Sequence, residues 1–195
     1  QGTMDICRDF IHLRYRMIPY IFGSAANCVK TSLPMARALL IEYQDDPNVW
    51  NISDQYLFGD SLMVAPVYNE EGSRKLYLPE GTWTCWWTGE RIKGRQWIET
   101  ISEINRIPLY IREGAIIPMG PVMNYIDEIR VDKIDLHVSL YETEGSSCFI
   151  VPVNDKQVSV KYEYLDGVHK ILAEKSDVEF ELKVYGTGKV KLEYV

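Results

Sequence analysis

The sequence predicts a mainly β protein preceded by one long α-helix, and three observations carry this prediction. Residues 5–30 hold two apolar rows at three- and four-residue spacing, the period of a helix that is covered on two sides. Later segments alternate apolar and polar side chains at period two, as in Gln96–Ile101. Turn signals recur every 8–12 residues or so, which is typical of the short strands of a β-sandwich.

The two apolar rows define the predicted helix. The first row consists of Ile6, Phe10, Leu13, Met17 and Tyr20, and the second of Ile11, Tyr15, Ile18, Phe22, Ala25 and Val29. Pro19 removes one backbone donor, so we expect a kink there. With both rows needing cover, we expect the helix to pack on the first β-sandwich or against another chain.

The strand pattern predicts two antiparallel β-sandwich domains in series after the helix. We place the helix in residues 1–31, a proximal sandwich in 32–119 and a distal sandwich in 120–195. The predicted proximal strands include 62–67, 75–78, 82–87, 96–101, 108–111 and 115–118. The predicted distal strands are 134–141, 148–151, 158–164, 169–173, 178–185 and 189–194. Hairpin turns are expected at Asp155 and at Asp166-Gly167.

Composition limits the classes of function. The 195 residues carry a formal net charge of −7 without a basic cluster, which argues against a nucleic-acid partner. No apolar stretch approaches the length of about 18 residues that a membrane span needs. None of the four cysteines lies in a Cys-x-x-Cys motif, and the three histidines are scattered. We therefore expect reduced thiols, a cytoplasmic location, no metal and no cofactor.

Four tryptophans are candidates for contact with sugar rings. Trp83, Trp86, Trp87 and Trp97 could form a stacking platform on the surface of a sandwich. Alternation along a strand directs Trp83 and Cys85 to one face and Trp86 to the other. That division favours packing in a core or at a domain interface over one flat binding surface, and both alternatives stay open.

Four aspartates are candidates for acid–base chemistry. Asp45 and Asp46 form a carboxylate pair, but Pro47 after them favours capping of a helix start. Asp54 follows Ser53 at a second helix-start signal, and Asp60 follows Gly59 in a predicted turn. Structural roles are therefore favoured for all four.

An ordered set of motifs resembles the end of the catalytic barrel and the following β-domain of the family 31 glycoside hydrolases. The matching segments are Arg14-x-Arg16-Met17-Ile18-Pro19-Tyr20, Pro34-Met35-x-Arg37-x-Leu39, Asp45-Asp46-Pro47-Asn48, Asp54-Gln55-Tyr56, Phe58–Val67, Tyr77-Leu78-Pro79-x-Gly81-x-Trp83, Trp87-Thr88-Gly89-Glu90 and Ile107–Pro118. The resemblance is strong over residues 5–120 and fades over 121–195. It implies that the helix is the last helix of a (β/α)8 barrel.

That family, which includes α-glucosidases and α-xylosidases, hydrolyses α-linked sugars with retention, using two aspartates. The resemblance implies that these lie upstream of the Asp45 run, and the nucleophile motif Trp-x-Asp-Met-Asn-Glu does not occur in this sequence. No catalytic residue is therefore assigned. We expect the C-terminal accessory region of a retaining α-glycosidase, non-catalytic by itself, whose partners are its own catalytic barrel and the carbohydrate substrate of the whole enzyme.

Two further functions stay open. The tryptophan content also fits a carbohydrate-binding β-sandwich module that uses surface tryptophans. Members of the resembled family often assemble, so a homo-oligomer is possible as well.

Overall fold

The computed structural model describes residues 2–126 and 128–195. The described residues form two α-helices and fifteen strands, in two compact units. One unit is Cys28–Glu113, and the other joins the residues up to Asn27 with Gly114–Val195. The mainly β prediction is confirmed at this level.

The predicted single helix is divided into α1 (Thr3–Arg16) and α2 (Ile18–Thr31). Met17 separates them with φ −79° and ψ 0°, and its N–H still donates to Leu13 O. Pro19 is the physical reason for the break: it has no N–H for the carbonyl four residues earlier, and its ring crowds that carbonyl. The break thus falls two residues before the proline that predicted a kink.

Contacts within one unit join α1 and the first part of α2 to the later strands, whereas we expected the helix on the first β-sandwich or against another chain. Tyr20 stacks on Phe149 with ring centroids 5.5 Å apart. Arg16 Nη2 lies 2.7 Å from Asp135 Oδ2, and Arg16 O accepts from Gly120 N at 2.7 Å. The first apolar row, which contains Tyr20, thus packs against the rest of its unit. The second row leaves side chains exposed, with Ile11 at 53%, Phe22 at 61% and Val29 at 84%.

The unit Cys28–Glu113 contains two antiparallel sheets. Its strands are β1 (Ala36–Ala38), β2 (Tyr56–Phe58), β3 (Leu62–Val64), β4 (Ser73–Leu78), β5 (Thr82–Cys85), β6 (Arg91–Lys93), β7 (Gln96–Ile101) and β8 (Leu109–Arg112). Six strands follow the order β1-β2-β3-β8-β5-β6, and β4 pairs with β7. The core draws on both sheets, with Leu57, Met63 and Trp83 from the first and Leu76 and Leu78 from the second.

The second unit also has two sheets. Its strands are β9 (Ile116–Met119), β10 (Lys133–Ser139), β11 (Gly145–Val153), β12 (Lys156–Leu165), β13 (Val168–Ala173), β14 (Glu179–Tyr185) and β15 (Val190–Tyr194). The sheet orders are β14-β10-β9 and β11-β12-β13-β15. The core combines Leu136 and Val138 of one sheet with Val160, Tyr162 and Ile171 of the other.

The prediction of wholly antiparallel sheets is wrong at two places. Strand β14 runs parallel to β10, and β15 runs parallel to β13. In each case the chain crosses to the other sheet before it returns, so the paired strands point the same way. Strand β9, which we predicted to end the proximal domain, pairs with β10 in the register Leu136 to Pro118.

The tight turns follow the sequence closely. Asp166 and Gly167 both have positive φ, 51° and 77°, as the two-residue hairpin between β12 and β13 requires. Asn154 has φ 50° at the turn that it forms with Asp155 between β11 and β12. Both predicted hairpins are confirmed. In the described part of the chain, neither helix combines the length and the apolar character of a membrane span.

Candidate functional site

A buried arginine organises the segment that leaves α2. The side chain of Arg37 is only 3% exposed and contacts the carboxylates of Glu42 and Asp60. Its Nη1 also donates to Pro34 O at 3.2 Å, and Arg112 Nη1 lies 2.8 Å from the other oxygen of Glu42. The charge is therefore paired on several sides, which is the condition for burying a guanidinium. Asp60 lies in the predicted turn and pairs with this buried guanidinium.

A polar groove lies beside this cluster in the same unit. Residues 42–48 line it together with Tyr77, Glu80 and Arg95, and it has a volume of about 400 Å³. We call it the Asp46 groove. Asp46 caps a short 3₁₀ turn, Pro47–Val49, and its side chain accepts from Asn48 N at 3.0 Å. The predicted capping role of Asp46 is thus confirmed.

Two hydrogen bonds fix the protonation of the groove wall. Tyr77 Oη donates to Asp46 Oδ2 at 2.6 Å, and Asn48 Nδ2 donates to Asp46 Oδ1 at 2.9 Å. Desolvation of Asp46 opposes its ionisation, but the hydrogen bonds from Tyr77 and Asn48 outweigh it and hold the pKa of Asp46 below its ordinary value. Burial and the same carboxylate raise the pKa of Tyr77 to about 12. At neutral pH the tyrosine is therefore the donor and the aspartate the acceptor.

Two further features belong to the groove. Arg95 Nη2 lies 2.8 Å from Glu80 Oε2, and Arg95 has the positive φ of 57° in the connection between β6 and β7. The hydroxyl of Tyr43 is buried and has no hydrogen-bond partner among the described residues. Burial raises the pKa of Tyr43 to about 12, so this hydroxyl stays protonated.

The four candidate tryptophans do not form one platform. Trp83 is fully buried in the core, and its Nε1 donates to Pro79 O at 2.9 Å. Trp86 and Trp87 are partly buried, and Trp87 Nε1 donates to Ile107 O at 2.6 Å. Only Trp97 among the four keeps a large exposed area, at 45%. Trp83 therefore packs in the core. A sugar-stacking role of Trp86, Trp87 and Trp97 stays a prediction.

Two carboxylate candidates remain: Asp45 is exposed at the Asp46 groove, and Asp54 has a structural partner. Asp54 accepts from Arg74 Nη1, and Arg74 Nη2 donates to Asp54 O at 2.9 Å. The hydrogen bond from Arg74 is the main reason why the pKa of Asp54 lies below its ordinary value. Within residues 2–126 and 128–195, no three His, Cys, Asp or Glu side chains come together as metal ligands. The four cysteines are present as free thiols.

Sequence reasoning missed the Asp46 groove as a unit. It identified Asp46 as a cap and Tyr77 as a strand residue, but it assigned no binding role to Tyr77, Glu80 or Arg95. These residues lie 31 to 49 positions after Asp46 in the sequence, so no local spacing connects them. The one available signal was the Gly94-Arg95 pair between two predicted strands, because it marks a tight turn.

A comparison with protein families identifies the region that contains Arg37 and the groove. The model described as the glycosyl hydrolase family 31 C-terminal domain matches residues 32–117. This region is a glycosyl hydrolase family 31 C-terminal domain. The match covers both the Arg37 cluster and the residues of the groove.

Curated relatives of this family 31 domain include hydrolases of α-linked sugars. The chain is 30% identical over 161 residues to alpha-glucosidase 2 of Bacillus thermoamyloliquefaciens, covering 81% of this chain and 20% of that protein. It is 29% identical over 192 residues to an alpha-xylosidase of Saccharolobus solfataricus, covering 97% of this chain and 25% of that protein. The chain thus spans a quarter or less of the length of these two relatives.

Solved family 31 enzymes share the fold. A dextranase of Flavobacterium johnsoniae, solved with isomaltotriose, superposes with a TM-score of 0.83 at 30% identity, covering 96% of this chain and 26% of that one. An alpha-xylosidase of Xanthomonas citri gives a TM-score of 0.71 at 28% identity, covering 94% of this chain and 21% of that one. These coverages extend the likeness beyond residues 32–117 to the helices and the later strands.

Proposed function

We propose that this chain is the C-terminal accessory region of a retaining α-glycosidase that acts on α-linked xylosides or glucosides. Its relatives named alpha-glucosidase and alpha-xylosidase support this substrate class. In this proposal the chain itself contributes no catalytic carboxylate. The absence of the Trp-x-Asp-Met-Asn-Glu motif from the sequence supports this, as do the structural partners of Asp46, Asp54 and Asp60. The work of the region is to support a catalytic barrel.

One observation carries the supporting role: the second apolar row of the helices is exposed. Ile11, Phe22 and Val29 lie at the spacing of one helix face and remain open to solvent, while Tyr20 on the other row is buried. An apolar row of this kind is a surface for another protein element. We infer that α1 and α2 form the end of the barrel and that this row packs against its neighbouring helices.

The organisation that accompanies this proposal keeps the predicted order of a barrel helix in residues 1–31, a proximal sandwich in 32–119 and a distal sandwich in 120–195, except that the pairing of β9 with β10 moves the boundary between the sandwiches to before β9. The four free thiols support a cytoplasmic location. The same exposed row would allow a homo-oligomer if a second copy covered it. We expect the barrel to be the preferred partner.

Hydrolysis assays test the non-catalytic part of the proposal. The purified chain, incubated with an aryl α-xyloside or an aryl α-glucoside, should release no aryl alcohol above the buffer rate. Turnover by the chain alone would overturn the proposal. In the longer enzyme, the double change Ile11→Ser and Phe22→Ser should lower the melting temperature and the activity. A matched pair of changes at exposed residues, Ile104→Ser and Val168→Ser, should leave both nearly unchanged.

A second candidate function, a carbohydrate-binding module, is supported by Trp97. This ring lies 5.3 Å from the ring of Tyr77 and 5.6 Å from Lys75 Nζ, and the residue is 45% exposed. The exposed part of the ring is the surface that a sugar would contact in this proposal. Titration with xylose, glucose and their oligomers should then change the tryptophan fluorescence of the chain. The change should disappear in Trp97→Phe and persist in Trp87→Phe, and a flat response would remove this candidate.

A further inference from the structure

The Asp46 groove combines a cavity with hydrogen-bonding groups that the protein leaves unused. No described residue donates to the carboxylate of Asp45, to Asn48 Oδ1 or to Gln44 Oε1, although all three residues line the groove. The guanidinium of Arg95 donates one hydrogen bond to Glu80 and keeps further N–H groups available. The groove therefore offers several acceptors and a strong donor to anything placed in it.

The backbone at Arg95 adds a second argument. Arg95 adopts a left-handed conformation, with φ 57°, that glycine adopts with far less strain. The neighbouring Gly94 admits no side chain, because a Cβ there would lie 1.7 Å from Pro79 O. An arginine at such a position makes the turn less favourable, and strained residues of this kind concentrate at binding sites. Here the strained residue supplies the groove with its guanidinium.

Aromatic surface lies next to these polar groups. Tyr77 lines the groove but is only 2% exposed. Its ring contacts that of Trp97, which lies outside the lining of the groove, is 45% exposed and has Lys75 Nζ 5.6 Å from its ring centroid. Sugar sites in proteins combine these two elements: planar polar side chains meet the hydroxyl groups, and an aromatic ring meets the apolar face of the sugar. The volume of about 400 Å³ is at the lower end of the range of small-ligand sites.

We propose that the Asp46 groove binds a neutral mono- or disaccharide. Sugar hydroxyls donate to Asp45, Asn48 and Glu80, and Arg95 donates to a sugar oxygen. This proposal rests on the second candidate function, carbohydrate binding. It places the sugar-binding site in the groove instead of on the tryptophans. It does not depend on the supporting role of the helices.

Amide NMR on the full chain tests the proposal with glucose, xylose and an α-linked glucose disaccharide as separate probes. We expect saturable shift changes at residues 44–48 and at Gly94 and Arg95, with a dissociation constant in the range of about 0.1–10 mM. The variant Arg95→Gly relieves the strained backbone while it removes the guanidinium. It should weaken binding roughly tenfold or more without lowering the melting temperature.

Asn154→Gly is the matched control, because it relaxes another non-glycine residue with positive φ, 50°, and lies outside the groove. It should leave sugar binding unchanged. Asp45→Asn, which keeps the shape of the side chain, should weaken binding severalfold. The proposal is overturned if no sugar gives saturable shifts, if Arg95→Gly binds as tightly as the parent, or if calcium chloride shifts these amides and the sugars do not. None of these outcomes bears on the hydrolysis test of the accessory role.

Discussion

Gln55 pairs through its side-chain amide with the backbone of Tyr77. Its Nε2 donates to Tyr77 O at 2.7 Å, and its Oε1 accepts from Tyr77 N at 2.9 Å. Both residues are buried, so the amide takes the place that the backbone of a neighbouring strand would have beside β4. The Gln55 amide also orients Tyr77, whose hydroxyl donates a hydrogen bond to Asp46 at the wall of the groove.

Removal of this amide should be costly. Gln55→Ala leaves two buried backbone groups of Tyr77 without partners, so we expect the free energy of unfolding to fall by about 2–4 kcal/mol. Urea denaturation measures this loss. Gln157→Ala, at an exposed position of β12, should stay within about 0.5 kcal/mol of the parent. Equal urea midpoints for the two variants would contradict the proposed pairing.

Arg37 should not tolerate lysine. A lysine keeps the charge, but it cannot contact Glu42, Asp60 and Pro34 O together as the guanidinium does. We expect Arg37→Lys to lower the free energy of unfolding by about 3 kcal/mol. The control is Arg8→Lys in the exposed Asp5 pair, which should change stability by less than about 0.5 kcal/mol. Thermal melts of both variants measure these changes. An Arg37→Lys variant as stable as the parent would show that the contacts of the guanidinium do not stabilise the fold.

Gly23 should reverse the usual effect of alanine in a helix. Alanine normally stabilises a helix interior by about 1 kcal/mol relative to glycine. At Gly23, however, a Cβ would lie 2.5 Å from both Ile150 O and the Phe149 ring. Gly23→Ala should therefore push α2 away from β11 and lower the melting temperature by several degrees.

Gly2→Ala serves as the control for this helix. The nearest atom to its Cβ would be Asp5 Oδ2 at 3.6 Å, an ordinary contact. We expect its melting temperature to match that of the parent within about 2 °C. A stabilised Gly23→Ala would show that the close packing of α2 on β11 is wrong.

His137 should make the protein less stable in mild acid. Burial, and then the positive charges of Lys183 and Arg16, lower the pKa of His137 to about 4, against 6.5 for an unperturbed histidine. Between these values the unfolded chain binds a proton that the folded chain does not, so the free energy of unfolding falls as the pH decreases from 6.5 to 4. The full contribution is on the order of 3 kcal/mol.

Urea unfolding at several pH values measures this contribution. His137→Gln should flatten the pH dependence in that window, although it also weakens the contact with Tyr185 Oη at 3.0 Å. His12→Gln, on α1, is the matched histidine-to-glutamine control. Since His169 is present in every one of these proteins, the difference between parent and variant isolates His137. Identical slopes for His137→Gln and the parent would refute this account.

Local patterns predicted most strands because their signals lie within a few residues. The predicted Gln96–Ile101 coincides with β7, and the hairpin at Asp166-Gly167 follows from two residues that tolerate positive φ. The three-residue strands β2 and β6 were missed because each is too short to show an alternation. The parallel pairing of β10 with β14 was also missed, since strand direction depends on how the chain crosses between sheets.

The β-rich class, the helical start, the turns and the likeness to family 31 could all be predicted, because each is encoded in neighbouring residues or in ordered motifs. The burial of Trp83, the exposure of Trp97 and the exposure of the second apolar row could be seen only once the chain was folded. Folding alone brought Asp46, Tyr77, Glu80 and Arg95 around one groove. The physical reason is that burial and cavity formation depend on contacts between segments far apart in the chain, which no local period encodes.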